Sequence, residues 1–278
     1  PSLFVTNQFR PKLYNSRSYL YPSLIFIAKQ ISKASKILVA DSPPPYTMCE
    51  YNLNFIEEAK EKVTYVGHFT NSSRIKKTEK TDLEKLIENN DFGYWMRTGN
   101  KSTNDGTGQR YEQVFHQNKM KGEKRIISHA KNESGIDIVI GKNGKKYSIS
   151  EALEKRVDWI QIDIGFLSEQ EKDTVLDLCK YAVVNGSHTV MGEIMGGKSK
   201  PIIGIPIYDE HTNNIKWAQE KNLGILAIKT SQVVQGISKI KENYEEFEGN
   251  LKEFSSNFVP RGAENSAKIA SEILEEKR

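Results

Sequence analysis

The stretch Asn185-Gly186-Ser187-His188-Thr189-Val190-Met191-Gly192-Glu193, continued by Gly196-Gly197-Lys198-Ser199-Lys200-Pro201-Ile202-Ile203-Gly204-Ile205-Pro206, decides how this chain folds. The run 181–184 before it has the β-branched and aromatic character of a buried strand, a glycine turn follows, and a helix opens near His188. Residues 201–205 then read as the next strand, which makes the stretch a βαβ unit of a parallel sheet. The first N–H groups of such a helix lack intrahelical partners and stand at the positive end of its dipole, an arrangement that binds phosphate. Thr189 lies in that first turn, where its hydroxyl adds a donor. Glu193 lies four residues on along the same face, where a carboxylate can accept two hydrogen bonds from a ribose diol.

The same alternation runs along most of the chain. Strands are predicted at 2–6, 36–40, 63–66, 94–97, 125–128, 159–164, 181–184, 201–205 and 225–228. Helices are predicted at 19–32, 83–89, 169–180, 189–195, 212–221 and 231–244, the third opening on a capping box, Ser168 with Glu171. The polar, Lys/Thr-rich segment 70–82 has no periodic apolar face and reads as a linker. Only two or three strands and one long helix precede it, too little for a closed doubly wound domain, whereas six strands follow.

With 278 residues, 37% hydrophobic and 27% charged, and with 11 Phe, 12 Tyr and 3 Trp, the chain has the material for sizeable cores, which excludes disordered and low-complexity readings. The longest apolar run, Leu24 to Ala28, falls far short of the ~18–20 residues that cross a bilayer. Cys49 and Cys179 stand far apart with no partners at metal spacing, so two buried thiols in a reducing, cytoplasmic setting are expected rather than a disulfide or a zinc site. A net charge of +4 is weak for a nucleic-acid binder, and no nucleic-acid partner is expected.

Further polar groups follow predicted strands. Asp209-Glu210-His211-Thr212-Asn213-Asn214 opens a helix, and its donors and acceptors can reach sugar hydroxyls; taken alone it reads as helix-capping chemistry, and Glu193 alone as a solvated residue. The Asn100–Gly108 stretch follows the strand 94–97, where loops line the crevice of a doubly wound sheet. Asp41, before three prolines, has two roles open to it: a base or orienter for an acceptor hydroxyl, or the cap of the turn that those prolines enforce. His68 ends its strand near the linker and reads as packing. Arg10, Lys12 and Arg17 with Phe9, Tyr14, Tyr19 and Tyr21 form a basic and aromatic stretch that suits either a membrane surface or a solvated loop.

Across about thirty residues the pattern resembles the nucleotide-sugar glycosyltransferases of the GT-B fold, in particular the family 28 enzymes typified by the peptidoglycan N-acetylglucosaminyltransferase. A small-residue turn, a Thr, a Glu four residues later, a proline-bounded strand and an acidic helix start ending in Asn are matched by Gly186, His188, Thr189, Glu193, Pro201, Pro206, Glu210, His211 and Asn214. Phe166-Leu167-Ser168-Glu169 is similar to the segment that this family uses on the nucleotide base, and Tyr65-Val66-Gly67-His68-Phe69 to its last strand before the interdomain linker. The resemblance implies that Thr189 and the N–H groups around Ser187 and His188 contact the diphosphate. It implies that Glu193 holds the ribose, Phe166 and Leu167 the uracil, and Glu210, His211 and Asn214 the donor sugar. Gly99 and Asn100 stand where a loop closes over the phosphates, and Arg97 and Lys101 have two readings open, solvated charges or groups that offset a leaving diphosphate. His211 replaces the Gln of many relatives, which leaves the sugar open.

The implied fold is α/β, GT-B, with two Rossmann-like doubly wound domains, the N-terminal one incomplete in this chain. Residues 1–69 would be the C-terminal part of the acceptor-side domain, 70–82 the linker, 83–258 the donor domain, and 259–278 a helix returning to the first domain. Residues 1–8 resemble a strand midway through the family's N-terminal domain, so roughly 80–100 residues, the catalytic base among them, would precede Pro1. The implied reaction moves a sugar, an N-acetylhexosamine by resemblance, from a UDP-sugar to an acceptor hydroxyl, for which a lipid-linked or surface glycan at the inner face of the membrane is one candidate. No Asp-x-Asp motif is present, and the reading requires no metal and no cofactor beyond the UDP-sugar co-substrate. Two alternatives stand beside it: a UDP-N-acetylglucosamine 2-epimerase-like isomerase, and a donor-binding subunit that needs a partner chain, as in the eukaryotic dolichol-linked enzyme of this family.

Overall fold

The computed structural model describes residues 2–14, 19–70, 79–97, 113–114, 123–129 and 137–275. Two sheets organise them. The first is three-stranded and parallel, in the order β1 (Leu3–Thr6), β2 (Lys36–Val39), β3 (Val63–Tyr65). Helix α1 (Tyr21–Ile31) connects β1 to β2, and the short helices α2 (Glu50–Leu53) and α3 (Glu57–Lys60) lie between β2 and β3. A small core of Phe9, Ala28, Ile37, Val39, Leu53 and Ala59 fills this lobe.

After α4 (Asp82–Ile87) the second sheet begins with β4 (Gly93–Met96) at its centre. The strands β5 (Arg125–Ser128), β6 (Ile138–Gly141), β7 (Lys146–Tyr147), β8 (Trp159–Ile164), β9 (Tyr181–Val184), β10 (Ile202–Gly204) and β11 (Gly224–Leu226) complete the order β11-β10-β9-β4-β5-β8-β6-β7. All pairs from β11 to β8 are parallel, and the β6–β7 hairpin closes one edge antiparallel. Helices α5 (Ile149–Glu154), α6 (Glu169–Leu178), α7 (His188–Met191), α8 (Asp209–Glu220), α9 (Thr230–Glu242) and α10 (Tyr244–Ser256) connect and flank the strands. The chain leaves β4 toward β5 and β8, then returns to the other side of β4 with β9. The β4–β9 boundary is therefore the topological switch point, where ligands bind outside the carboxyl ends of the strands.

The predicted strands all form, within two residues at each end; β5, β9 and β10 are buried along their whole length, as central parallel strands are, whereas β1 and β3 are only partly buried. The capping box of α6 also forms: Ser168 Oγ accepts the Glu171 N–H at 3.2 Å, and Glu171 Oε2 accepts the Ser168 N–H at 3.0 Å. Sequence reading missed the β6–β7 hairpin, although Asn143-Gly144 is a hairpin-turn signal and Gly144 takes a φ of +76°. It also missed a π-helical turn, Gly192–Gly196, that continues α7.

The lobes are joined through side chains as well as through the chain. Met48, beside α2, is fully buried in the core of the second sheet. The final helix, α11 (Gly262–Glu275), returns to the first lobe: Gly262 N–H donates to the His68 carbonyl at 2.8 Å, and Asn265 Nδ2 donates to the Val66 carbonyl at 2.7 Å. No helix among the described residues is long and apolar enough to cross a membrane.

Candidate functional site at the switch point

Gly186 makes the turn out of β9 possible. Its φ is +88°, and a Cβ there would stand 2.5 Å from Ile215 Cδ1 and 3.0 Å from the His211 carbonyl, so glycine is needed both for the turn and for the approach of α8. Asn185 Oδ1 accepts the Ser187 N–H at 3.0 Å, which fixes the loop. Helix α7 opens at His188 with Thr189 exposed in its first turn. The π-turn then carries Glu193, which is half-buried and ion-paired through Oε2 with Lys172 Nζ of α6 at 2.6 Å. π-turns inside helices occur frequently at functional sites.

At the end of β8, Phe166 is 61% exposed while Leu167 packs down on the core. Of the two residues expected at the base, one therefore presents a free aromatic face and the other is structural. Gly99, Asn100 and Lys101 lie outside the described residues, as does the rest of the 100–108 loop.

The imidazole of His188 points away from solvent, into the first lobe, where its Nε2 donates to Asp41 Oδ2 at 3.0 Å. Asp41 is wholly buried. Its Oδ1 accepts the Ser42 N–H and its Oδ2 the Cys49 N–H, each at 2.7 Å, and His68 Nε2 stands 2.7 Å from Oδ1. The His68 ring stacks between His188, at 4.8 Å between centroids, and Phe258, at 4.3 Å. Two imidazoles from two lobes thus converge on one carboxylate.

A carboxylate only accepts, so the His188 Nε2 that bonds it carries a proton, whereas His68 is buried with neither ring nitrogen in an aligned hydrogen bond among the described residues, its Nε2 close to Asp41 and its Nδ1 against Gly192. Burial pushes the His68 pKa down against the pull of Asp41. Burial alone would push the Asp41 carboxyl up, but the charges and hydrogen bonds of His68 and His188 overcome it and hold the group far below the usual carboxylate range.

These three side chains bring ligand-type atoms within 4.8 Å of one another, a metal-like grouping that no cysteine or histidine spacing announced. The atoms stand too close for ligands around one ion: N–O separations of 2.7 and 3.0 Å are shorter than the about 3.3 Å between tetrahedral ligands on a common zinc. The carboxylate also already accepts two backbone N–H groups. Asp41 was open to a base role or a turn-capping role; in this structure its side chain faces no cleft, and it caps the turn while tying the lobes together.

The helix α8 residues have a similar fate. Asn214 is fully buried; its Nδ2 donates to the Gly186 carbonyl at 3.1 Å and to Glu210 Oε1 at 3.3 Å, and its Oδ1 accepts from Asn52 Nδ2 at 2.8 Å. Asn213 Nδ2 donates to Asn52 Oδ1 at 2.7 Å, and Tyr14 OH donates to Asn213 Oδ1 at 2.7 Å. The amide expected on a donor sugar is thus spent on an interlobe network. Burial raises the Glu210 pKa despite the Asn214 bond. His211 is 6% exposed, its Nδ1 lacks a partner among the described residues, and burial takes its pKa down to about 4.

The basic and aromatic stretch also changes meaning. Phe9 is core and Tyr14 belongs to the Asn213 network, so neither is available to a membrane surface. Arg17 lies outside the described residues. The exposed apolar side chains nearby are instead Tyr19 and Leu20 with Ile25, Phe26 and Ile27 of α1.

No family model matches the chain, and no curated protein matches it in sequence. Solved structures do match in shape. The glycotransferase of kitacinnamycin superposes with a TM-score of 0.57 at 10% identity, over 99% of this chain and 70% of its own. CalG4, the calicheamicin glycosyltransferase, gives 0.55 at 10%, over 100% and 71%. UGT2 of Phytolacca americana, complexed with UDP-2-fluoro-glucose and pterostilbene, gives 0.58 at 11%, over 93% of this chain and 59% of its own. The fold is GT-B. At this identity the likeness extends to the fold alone, and similarity to family 28 in particular is not among these matches.

Proposed function

We propose that this chain is the donor-binding body, with part of the acceptor lobe, of a GT-B glycosyltransferase that moves a sugar from a UDP-sugar to an acceptor hydroxyl. The observation that carries the reading is the set of groups along the carboxyl edge of the parallel sheet: the Gly186 turn, the exposed Thr189 at the opening of α7 and Glu193 on its π-turn at the switch point, and the exposed Phe166 ring past the end of β8. Phe166 offers a stacking face for a base. Glu193 Oε2 is paired with Lys172, and its Oε1 makes no hydrogen bond among the described residues, which suits one oxygen to a ribose. The N–H groups around Ser187 and His188, with Thr189, stabilise charge on a departing diphosphate. The bond broken is that between the anomeric carbon and the phosphate oxygen; the bond formed is to the acceptor oxygen, whose proton passes to a base. An N-acetylhexosamine as the sugar and a lipid-linked acceptor rest on sequence resemblance alone.

Titration calorimetry with UDP tests this. Micromolar to submillimolar binding is expected, weakened at least ~10-fold by Glu193→Ala, as the loss of one charge-assisted hydrogen bond implies. Unchanged affinity in that variant defeats the ribose assignment.

Among the described residues β1 is an edge strand with Val5 45% exposed, and Ile25, Phe26 and Ile27 of α1 are exposed, which favours a second reading, a donor-binding subunit that needs a partner chain. Native mass spectrometry with candidate partner chains checks it, and transferase activity of this chain alone excludes it.

A further inference from the structure

The π-turn that carries Glu193 is held at both ends. Lys172 of α6 reaches Glu193 Oε2 at 2.6 Å. Lys198, just past the turn, reaches back to Asp173 and, at 2.7 Å, to Asp177 of the same helix. The polarity reverses between the two ties: α6 gives a cation to the turn and takes one from the segment after it. A third tie comes from α10, where Ser255 Oγ donates to the Gly196 carbonyl at 2.6 Å.

The Lys172 contact is the one that bears on chemistry. Glu169 lies three residues back on α6, at the spacing of a helical ion pair, yet the ammonium makes its contact across to the π-turn instead. Lys172 and Glu193 are each about one-third exposed, at 33% and 36%, and a pair so open to water adds little to stability. What the pair does fix is a rotamer. An untied glutamate swings over several staggered torsions, whereas one held at Oε2 presents Oε1 in a single orientation.

We propose that Lys172 is a positioning residue for Glu193: by claiming Oε2 it leaves Oε1 as one fixed acceptor, which selects a ribonucleoside diphosphate over a nucleotide that lacks the ribose hydroxyls. This rests on the nucleotide-sugar reading and deepens it. A sugar hydroxyl can donate and a carboxylate only accepts, so the pairing of Glu193 with ribose is unambiguous. A ligand without the hydroxyl leaves Oε1 facing carbon, and the contact is lost rather than replaced. In this assignment the ammonium acts through the carboxylate and makes no contact with phosphate.

Calorimetry with UDP and 2′,3′-dideoxy-UDP tests the proposal on the wild type, Lys172→Met, Lys172→Arg, Glu193→Ala and the double variant Lys172→Met/Glu193→Ala. The wild type should bind UDP ~10-fold or more tightly than the dideoxy ligand. Lys172→Met keeps a long side chain and good helix propensity. It should weaken UDP about 3–10-fold, the cost of a glutamate that must be immobilised on binding, and leave dideoxy-UDP within about twofold. Lys172→Arg keeps a cation there and should hold UDP within about twofold of wild type. In the Glu193→Ala background Lys172→Met should change UDP by less than about twofold, because no carboxylate is left to position. UDP affinity unchanged in Lys172→Met, in a protein where Glu193→Ala still weakens it, overturns the positioning role and leaves the nucleotide reading standing. Equal losses of UDP and dideoxy-UDP in Lys172→Met also overturn it, since they mark a direct phosphate contact or a disturbed turn. A wild type that binds neither nucleotide overturns the nucleotide-sugar reading and this proposal with it.

Discussion

Replacing Asp41 by Asn tests the interlobe carboxylate directly. The carboxylate accepts from two backbone N–H groups, Ser42 and Cys49, and lies against two imidazoles, His68 and His188. Asparagine keeps the shape but has one acceptor oxygen, and its amide nitrogen must face one of the two pairs. Either Ser42 N–H and His68 or Cys49 N–H and His188 then meet a donor instead of an acceptor. Hydrogen bonds to a charged group contribute about 1.5–3 kcal/mol each, and breaking a buried ionic contact on one side costs about 3–5 kcal/mol. An expected loss of about 3–5 kcal/mol is a large part of the 5–15 kcal/mol typical of a folded protein. At roughly 2–4 °C per kcal/mol it lowers the Tm by on the order of 10 °C. Because the contact joins lobes, scanning calorimetry at pH 7.5 should also show the single endotherm of the wild type splitting toward two. A double-mutant cycle with His188→Leu should return a coupling above ~1 kcal/mol. A Tm within 2 °C of wild type and additive single effects would refute the assignment of Asp41 as an interlobe tie.

Two further outcomes follow from local geometry. A Cβ on Gly196 would lie 2.2 Å from Phe258 Cδ2, whereas a Cβ on Gly197 meets nothing within 4 Å. Gly196→Ala should therefore displace the ring that stacks on His68 and cost ~1–3 kcal/mol in urea unfolding, while Gly197→Ala, in the same helical turn, should be neutral or slightly stabilising. The His211 pKa falls to about 4 in the folded chain from about 6.5 when unfolded, so the unfolded state binds more protons below pH 6.5. Stability should then fall with pH between about 6.5 and 4 by a total of ~3 kcal/mol, His68 acting in the same direction and His211→Phe flattening the profile. The Asp41 contribution, with its pKa lowered, persists to below the usual carboxylate range and does not enter that window.

What could be read from the chain was local. The strand at β8, the capping box of α6 and the glycine turn at Gly186 are each set by residues within a few positions of one another. The helix start and the Glu193 spacing were legible for the same reason. The β6–β7 hairpin carries its own turn signal in Asn143-Gly144, but its strands are short and polar-flanked, so hydrophobic alternation does not announce it. The partner of His188 was not legible, because Asp41 lies 147 positions away and nothing near either residue announces the other. Asn52 and Asn214, 162 positions apart, pose the same problem.

Sequence alone therefore determined the parallel α/β order, the switch-point helix and the residue types that suit a nucleotide sugar, since hydrophobic period and turn chemistry act over one or two turns of chain. Only the tertiary structure decided which of those polar residues face a ligand and which face each other. His188 and Asn214 have the chemistry of donor contacts, but burial against the first lobe obliged each to find an internal partner, and Asp41 and Asn52 supplied it. A buried polar group without a partner is costly, so once the lobes pack, burial decides the role of each side chain.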